Sequence, residues 1–245
     1  MAIKIAINGA NGRMGQEIRK IIDSDSAFEL VALYDVTIPI SLQATKKAPA
    51  DVLIDFSSEF GLKEVLKSVD CKIVSGTTGL SEETFTLMRK YGEEKNGIIW
   101  GSNVSFGMNL MFAMVKKLGE FLADDEYDAE VYERHHRMKK DAPSGSALTI
   151  GKKIAEGRRA NFIQRDYGTQ GERKIGEIGF AVERGGKTVG FHEVAFISND
   201  ERIWFGHEAF DRSIFAKGAV KLAKIAHMHN ISGFHESCDV LSNIL

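Results

Sequence analysis

In the N-terminal half of the chain, short apolar runs alternate with longer amphipathic stretches. "IKIAI" (3–7), "FELVALYD" (28–35), "DVLIDFS" (51–57), "KIVSG" (72–76) and "GIIWGSN" (97–103) read as strands. The first has no polar alternation, as expected of a strand buried on both faces. "RMGQEIRKIID" places Met14, Ile18, Ile21 and Ile22 at helical spacing, and "EFGLKEVLKSV" is helix-like too. A further helix follows "TTGLSEETF", where Ser81 can cap and Glu82 and Glu83 favour the first turn. Strands alternating with helices predict a parallel sheet with right-handed crossovers.

After Phe106 the pattern changes. "MNLMFAMVKKLGEFL" predicts a long helix with a nearly continuous apolar stripe, in which Met108, Met111 and Met114 read as core. "AEVYERHH" follows, then a helix from about Ser144 to Glu156. Three strand-like runs come next, "EIGFAVER" (177–184), "TVGFHEVAFIS" (188–198) and "RIWFGHEAF" (202–210). Gly185-Gly186 and Asn199-Asp200 between them predict two antiparallel hairpins. "RSIFAKGAVKLAKIAHMH" closes the pattern as an amphipathic helix. The expected class is α/β: a Rossmann-like parallel-sheet domain, then an α+β domain with an open mixed or antiparallel sheet.

Composition narrows the function classes. The 32 Lys and Arg nearly balance the 34 Asp and Glu, for a net charge of -2. That argues against nucleic acid or a membrane surface as an electrostatic partner. Two cysteines are too few for a disulfide framework. The N-terminus lacks the layout of a signal peptide, and no apolar run reaches the ~18 residues of a membrane span. A cytoplasmic globular protein is expected.

Two segments carry chemistry. Gly9, Gly12 and Gly15 form G-x-x-G-x-x-G between the first strand and its helix, and Asp35 ends the second strand twenty residues after Gly15. Glycines let a backbone approach a pyrophosphate, and helix-start N–H groups bind its charge. The carboxylate suits the adenosine ribose hydroxyls. It would repel a 2′-phosphate, which points to NADH, although Arg13 could offset the repulsion and admit NADPH. Gly76-Thr77-Thr78-Gly79 and Gly101-Ser102-Asn103-Val104 lie at further strand ends, where open α/β sheets bind ligands. Each alone reads equally as turn chemistry.

The second segment is "ERHHRMKKDAPSGSA". A metal site fits poorly, because adjacent side chains on a strand face opposite ways and the nearby cations repel a metal. A solvated basic surface is the plain alternative. The third reading is a site for an acidic substrate. Pro143 signals a helix start that Ser144 or Ser146 would cap, and its N–H groups with the Ser146 hydroxyl suit a carboxylate. Histidine can release a proton near neutrality.

"GANGRMG", "DVLIDFS", "SGTTGLS", "SNVSFGMN" and above all "ERHHRMKKDAPSGSA" resemble the dihydrodipicolinate reductase family nearly end to end. "GFAVERGG", "GFHEVAF" and "DRSIFAKGA" continue the resemblance. It implies NAD(P)H-dependent reduction of 4-hydroxy-tetrahydrodipicolinate, a small dicarboxylate, in diaminopimelate and lysine biosynthesis. It implies His135 as proton donor, Lys139 as its assistant, and His136, Gly145 and Ser146 as substrate-binding residues. Gly9, Ala10, Asn11, Gly12, Arg13, Met14, Asp35, Gly76, Thr77, Thr78, Gly101, Ser102, Asn103 and Val104 match the nucleotide-binding segments. It further implies a last helix returning to the first domain, giving 1–106 with 217–245 for the nucleotide and 107–216 for substrate and oligomerisation. A homotetramer built on the second domain's sheet is implied, as is domain closure during turnover.

Three departures stand out. The stretch "VTIPISLQATKKAPA" after Asp35 is shorter than in the family, Val104 replaces a usual phenylalanine, and Phe191 replaces a glutamate before His192. His192, His207 and Arg184 read no more strongly as site residues than as ordinary sheet residues. Other classes stay open: a nucleotide-sensing regulator, an aspartate-semialdehyde or homoserine-type dehydrogenase, or an amino-acid dehydrogenase. The aspartate-semialdehyde type would need a catalytic cysteine.

Overall fold

The computed structural model describes residues 1–35 and 49–242, so most of the shortened stretch after Asp35 lies outside the described residues. Two compact units emerge, Met1–Phe106 with Ser213–Leu245, and Gly107–Arg212.

In the first unit, strands β1 (Ile3–Asn8), β2 (Phe28–Tyr34), β3 (Val52–Asp55), β4 (Lys72–Ser75), β5 (Ile98–Trp100) and β11 (Phe234–Glu236) form one sheet in the order β11-β5-β4-β3-β1-β2. Every pairing is parallel. The expected strands are all present, and the short β11 is an addition. Helix α1 (Arg13–Ser24) buries Gly15, Ile18 and Ile22, three and four residues apart. That stripe packs with the buried Ala216, Ala219 and Ala223 of α6 (Ser213–Met228) and with Ile5, Ile7 and Ile54 of the sheet. The other sheet face carries Leu62 and Leu66 of α2 (Glu59–Ser68) and Met88 and Tyr91 of α3 (Glu82–Glu94). Ser81 caps α3 as expected, its side chain accepting from Thr84 N–H. Helices on both faces explain why β1 and β3 are almost wholly apolar. The order 2-1-3-4-5 reverses between β1 and β3, so the crevice at their C-terminal ends is a topological switch point.

In the second unit, β6 (Asp128–His135), β7 (Ile163–Asp166), β8 (Glu177–Arg184), β9 (Gly190–Ile197) and β10 (Arg202–Ala209) form a mixed sheet in the order β10-β9-β6-β8-β7. The Asn199-Asp200 hairpin joins β9 to β10 antiparallel. The hairpin expected at Gly185-Gly186 does not form. β8 runs parallel to β6 on one side, and β9 runs antiparallel to it on the other. The glycine pair therefore carries the chain across the end of β6, whose apolar positions need a neighbour on each edge. Helices α4 (Phe106–Phe121) and α5 (Gly145–Gly157) belong to the same architecture, and α7 (Ser237–Ser242) follows β11. Met108 and Met111 are core residues as expected, but Met114 is 46% exposed.

Helices α4 and α5 meet backbone to backbone. A Cβ placed on Gly157 would lie 2.0 Å from the Lys116 carbonyl oxygen, and one on Gly119 2.6 Å from the Ile154 carbonyl oxygen. Overpacking of this kind costs about 1–3 kcal/mol. Gly157→Ala should therefore lower the midpoint of thermal unfolding by several degrees in calorimetry. An unchanged midpoint would show that the helices are not held this close.

Candidate active site

The switch-point crevice of the first unit is built on a buried carboxylate. Asn8, Asp55 and Ser75 sit side by side in register at the ends of β1, β3 and β4. Asp55 is fully buried, and among the described residues only neutral donors satisfy it. Its Oδ1 accepts from Asn8 Nδ2 at 2.7 Å and Ser57 Oγ at 2.6 Å. Its Oδ2 accepts from Ser75 Oγ and Thr77 Oγ1, both at 2.7 Å. Three strand ends are thereby tied to one side chain. The Thr77 side chain points into this knot, its carbonyl accepts from Trp100 Nε1 at 2.9 Å, and Thr78 next to it is exposed.

Gly9 turns the chain out of β1 with φ +78°, and a Cβ there would strike the Phe56 carbonyl oxygen at 2.4 Å. Only glycine fits both constraints. Gly12 is the N-cap of α1 and supplies no side-chain cap. Helix-start N–H groups left without such a cap suit an anion. Asn11, Gly12 and Arg13 are exposed here, whereas Ala10 is buried and Met14 packs on the core. Asp35 is drawn to the loop, its Oδ2 accepting from Asn11 N–H at 3.0 Å. The loop and the carboxylate that the sequence spaces twenty residues apart are thus brought together, and the cradle fits a dinucleotide. At the end of β5, Gly101 N–H donates to Ser75 O at 3.1 Å and Ser105 N–H to Asn103 Oδ1 at 2.9 Å. Ser102 and Asn103 are half-buried. Val104 has its side chain in the core, so only its backbone can reach a ligand.

The second unit places its chemistry at the tip of β6. Ala129, Val131, Glu133 and His135 alternate as the buried positions of that strand. The inward stripe is apolar for two residues, then becomes a carboxylate and an imidazole. Glu133 is fully buried and almost fully partnered. Its Oε1 accepts from Ser144 N–H at 2.8 Å and from Arg184 Nη2 at 2.6 Å. Its Oε2 lies 3.2 Å from His135 Nδ1 and 3.6 Å from His192 Nε2. The His135 contact is an ion-pair approach that falls short of hydrogen-bond geometry, for neither atom has a hydrogen-bond partner. The rings of His135 and His192 meet edge to face at 5.0 Å. Burial pushes the Glu133 carboxyl up, but His135, Ser144 and Arg184 outweigh it and hold the group at about 2. Burial, reinforced by the neighbouring His135, drives His192 down to about 3 against the pull of Glu133. The three residues are close enough to surround a cation. Arg184 already supplies the positive charge that the carboxylate requires.

Ser144 is the N-cap of α5, its Oγ accepting from Ala147 N–H at 3.2 Å, which settles the choice between Ser144 and Ser146. Gly145 and Ser146 therefore form the helix's first turn. Lys139 Nζ lies 2.9 Å from Asp141 Oδ2. Burial pushes the Asp141 carboxyl up, yet Lys139 and the Gly145 N–H together hold it below the usual carboxylate range. A protein carboxylate thus already sits where Lys139 and the helix start converge. His136 lies just past the end of β6, with Nε2 3.4 Å from Arg212 Nη2. Its pKa is lowered by burial first and then by the Arg212 charge.

Family models for the dihydrodipicolinate reductase N-terminus and C-terminus match residues 3–104 and 107–241. The chain belongs to the dihydrodipicolinate reductase family. Relatives of the family include the 4-hydroxy-tetrahydrodipicolinate reductases of Wolbachia sp. subsp. Brugia malayi and Alkaliphilus oremlandii. The first is 38% identical over 91% of this chain and 92% of its own. The second is 38% identical over 97% and 98%. The dipicolinate-bound dihydrodipicolinate reductase from Paenisporosarcina sp. TG-14 shares the fold, with a TM-score of 0.72 at 24% identity over the whole of both chains. Family membership makes the chain an NAD(P)H-dependent oxidoreductase of diaminopimelate and lysine biosynthesis, reducing 4-hydroxy-tetrahydrodipicolinate. The aspartate-semialdehyde dehydrogenase reading loses its cysteine as well. Cys71 and Cys238 are both buried, and burial pushes the Cys71 thiol up to about 12.

Asp55, Glu133 and Ser144 as the partner of Glu133 were not singled out as site residues from the sequence, and Arg184 and His192 were left undecided. For Glu133 a signal existed, since it lies two residues before His135 on a strand and so shares its face. Nothing comparable marked Asp55, which reads as one more residue of an apolar run.

Glu133 and His192 make acid destabilising, because the unfolded chain takes up protons that the fold refuses. The Glu133 contribution is present above 4.5 and lost as pH falls toward about 2. The His192 contribution, from a neutral ring, is present above 6.5 and lost as pH falls toward about 3. The unfolding midpoint followed by circular dichroism should fall as pH drops from about 7 to 4. In His192→Gln the upper part of that slope should flatten; an unaltered slope would mean that His192 is not buried neutral.

Proposed function

We propose that His135 and Lys139 carry the family reaction in this chain, and that the glycine loop, Asp35 and the Gly76 and Gly101 turns hold the nucleotide. The observation that carries this reading is Lys139 held 2.9 Å from the Asp141 carboxylate in the loop that joins the buried His135 to the start of α5. A substrate carboxylate would take the place of the Asp141 side chain there. Gly145 and Ser146 then orient the dicarboxylate through the helix start. Lys139 favours the negative charge that builds up on the ring. His135 gives its proton to the reduced ring carbon as general acid. Reduced nicotinamide supplies the hydride when bound. His136, next to the acid in the chain, completes the substrate-binding set in this reading.

For the nucleotide, Asp35 beside Asn11 favours ribose hydroxyls over a 2′-phosphate, and we assign NADH as the better donor, with NADPH accepted less well. We further propose a homotetramer and a cytoplasmic setting. The edge strand β10 exposes Trp204 at 62%, and Tyr132 and Phe191 pack together on the half-buried face of the same sheet, which supports assembly there. Neither Cys71 nor Cys238 is in a disulfide, and among the described residues no helix is long and apolar enough to cross a membrane.

His135→Gln and Lys139→Ala should each lower kcat by about 10²- to 10⁴-fold, the range of one general-acid contribution, with NADH binding nearly unchanged. Near-normal turnover in either variant refutes its role. Wild-type kcat/KM should be higher with NADH than with NADPH; a strong preference for NADPH would overturn the assignment to Asp35. Light scattering on a sizing column should give four times the chain mass, and Trp204→Glu should shift it towards smaller species.

A further inference from the structure

We propose that Glu133 is a positioning residue that turns His135 so that Nδ1 faces the carboxylate and Nε2 is the proton-bearing atom offered to substrate. The proposal rests on His135 being the proton donor and adds how its ring is aimed.

Three observations carry it. Glu133 and His135 are alternate residues of β6, so the backbone itself sets both on one face, with Oε2 3.2 Å from Nδ1. The carboxylate cannot swing away, because Ser144 N–H and Arg184 Nη2 hold its other oxygen and Arg184 is in turn bonded to the Asp141 carbonyl at 2.6 Å. On the far side of the ring, a Cβ at Gly190 would lie 3.1 Å from His135 Nε2. A side chain at that position on β9 would crowd Nε2. One ring nitrogen is thus committed to an anchored carboxylate and the other is kept clear.

A carboxylate against Nδ1 selects the neutral tautomer with its proton on Nδ1, so that Nε2 is the atom that gains and loses the catalytic proton. The other charged or titratable groups around the ring are His192 on β9, Arg184 on β8, and His136 and Lys139 in the chain that follows β6. His192 is neutral, and Arg184 is spent on Glu133 itself. Glu133 is the acceptor that faces Nδ1.

The decisive variant is Glu133→Gln, which keeps the shape and removes the charge. The expected result is a fall in kcat of at least tenfold with KM for NADH unchanged. The pH profile of kcat/KM should depart from that of wild type on its alkaline side. A profile superimposable on wild type overturns the proposal. Because Arg184 loses its charged partner in that variant, wild-type protein provides an independent arm. With ¹⁵N-labelled histidine and no nucleotide bound, the neutral His135 ring should carry its proton on Nδ1; a proton on Nε2 overturns the proposal without any substitution. His135→Gln separates the two layers. If it retains turnover, the proton-donor reading fails. If it is inactive while Glu133→Gln keeps the wild-type pH profile, only the role of Glu133 fails.

Discussion

A buried carboxylate needs compensation, and the way Glu133 obtains it organises the second unit. Its partners come from three places: Ser144 at the start of α5, Arg184 at the end of β8, and the imidazoles of β6 and β9. An unpaired charge in such a position costs several kcal/mol. Strand, helix and loop therefore have to meet in one arrangement around it. Arg184 extends the set by bonding the Asp141 carbonyl, which ties the loop between His135 and α5 to the same anchor. Lys139 lies within that loop, so His135 and Lys139 share a single electrostatic support.

The first unit solves a related problem with uncharged groups. Asp55 is satisfied by an amide and three hydroxyls, with no cation in the set. Hydroxyl donors are compact and can crowd around one carboxylate where guanidinium groups could not. The knot fixes the ends of β1, β3 and β4 relative to one another, and the loops that leave those ends are the ones that line the crevice. Rigidity sits underneath, and the exposed residues Asn11, Gly12, Arg13 and Thr78 lie above it.

Much of this was legible in the sequence because period and punctuation are local. The alternation of apolar runs and amphipathic stretches located all five early strands, and the glycine spacing with Asp35 located the crevice. The same local logic failed at Gly185-Gly186. A glycine pair between two strands looks like a hairpin whether the strands pair with each other or straddle a third, and only the partner choice of β6 distinguishes the cases. The site was legible where residue types are distinctive, as in the histidine pair and the capped helix start. It was obscure where a common residue becomes unusual by burial, as Glu133 and Asp55 do. Val104 is a residue inside a recognisable segment that turns its side chain into the core and leaves only its backbone toward the crevice.

The placement of β6 between β8 and β9 has a consequence for biogenesis. As the chain leaves the ribosome, β6 emerges some forty residues before β8, the first strand able to pair with it. Until then its polar tip has neither Arg184 nor His192, and its apolar positions have no edge to rest on. Pairing across such a separation is slow because the intervening chain must be ordered first. The nascent second unit should therefore mature late, as a whole, once the segment through β9 has been synthesised.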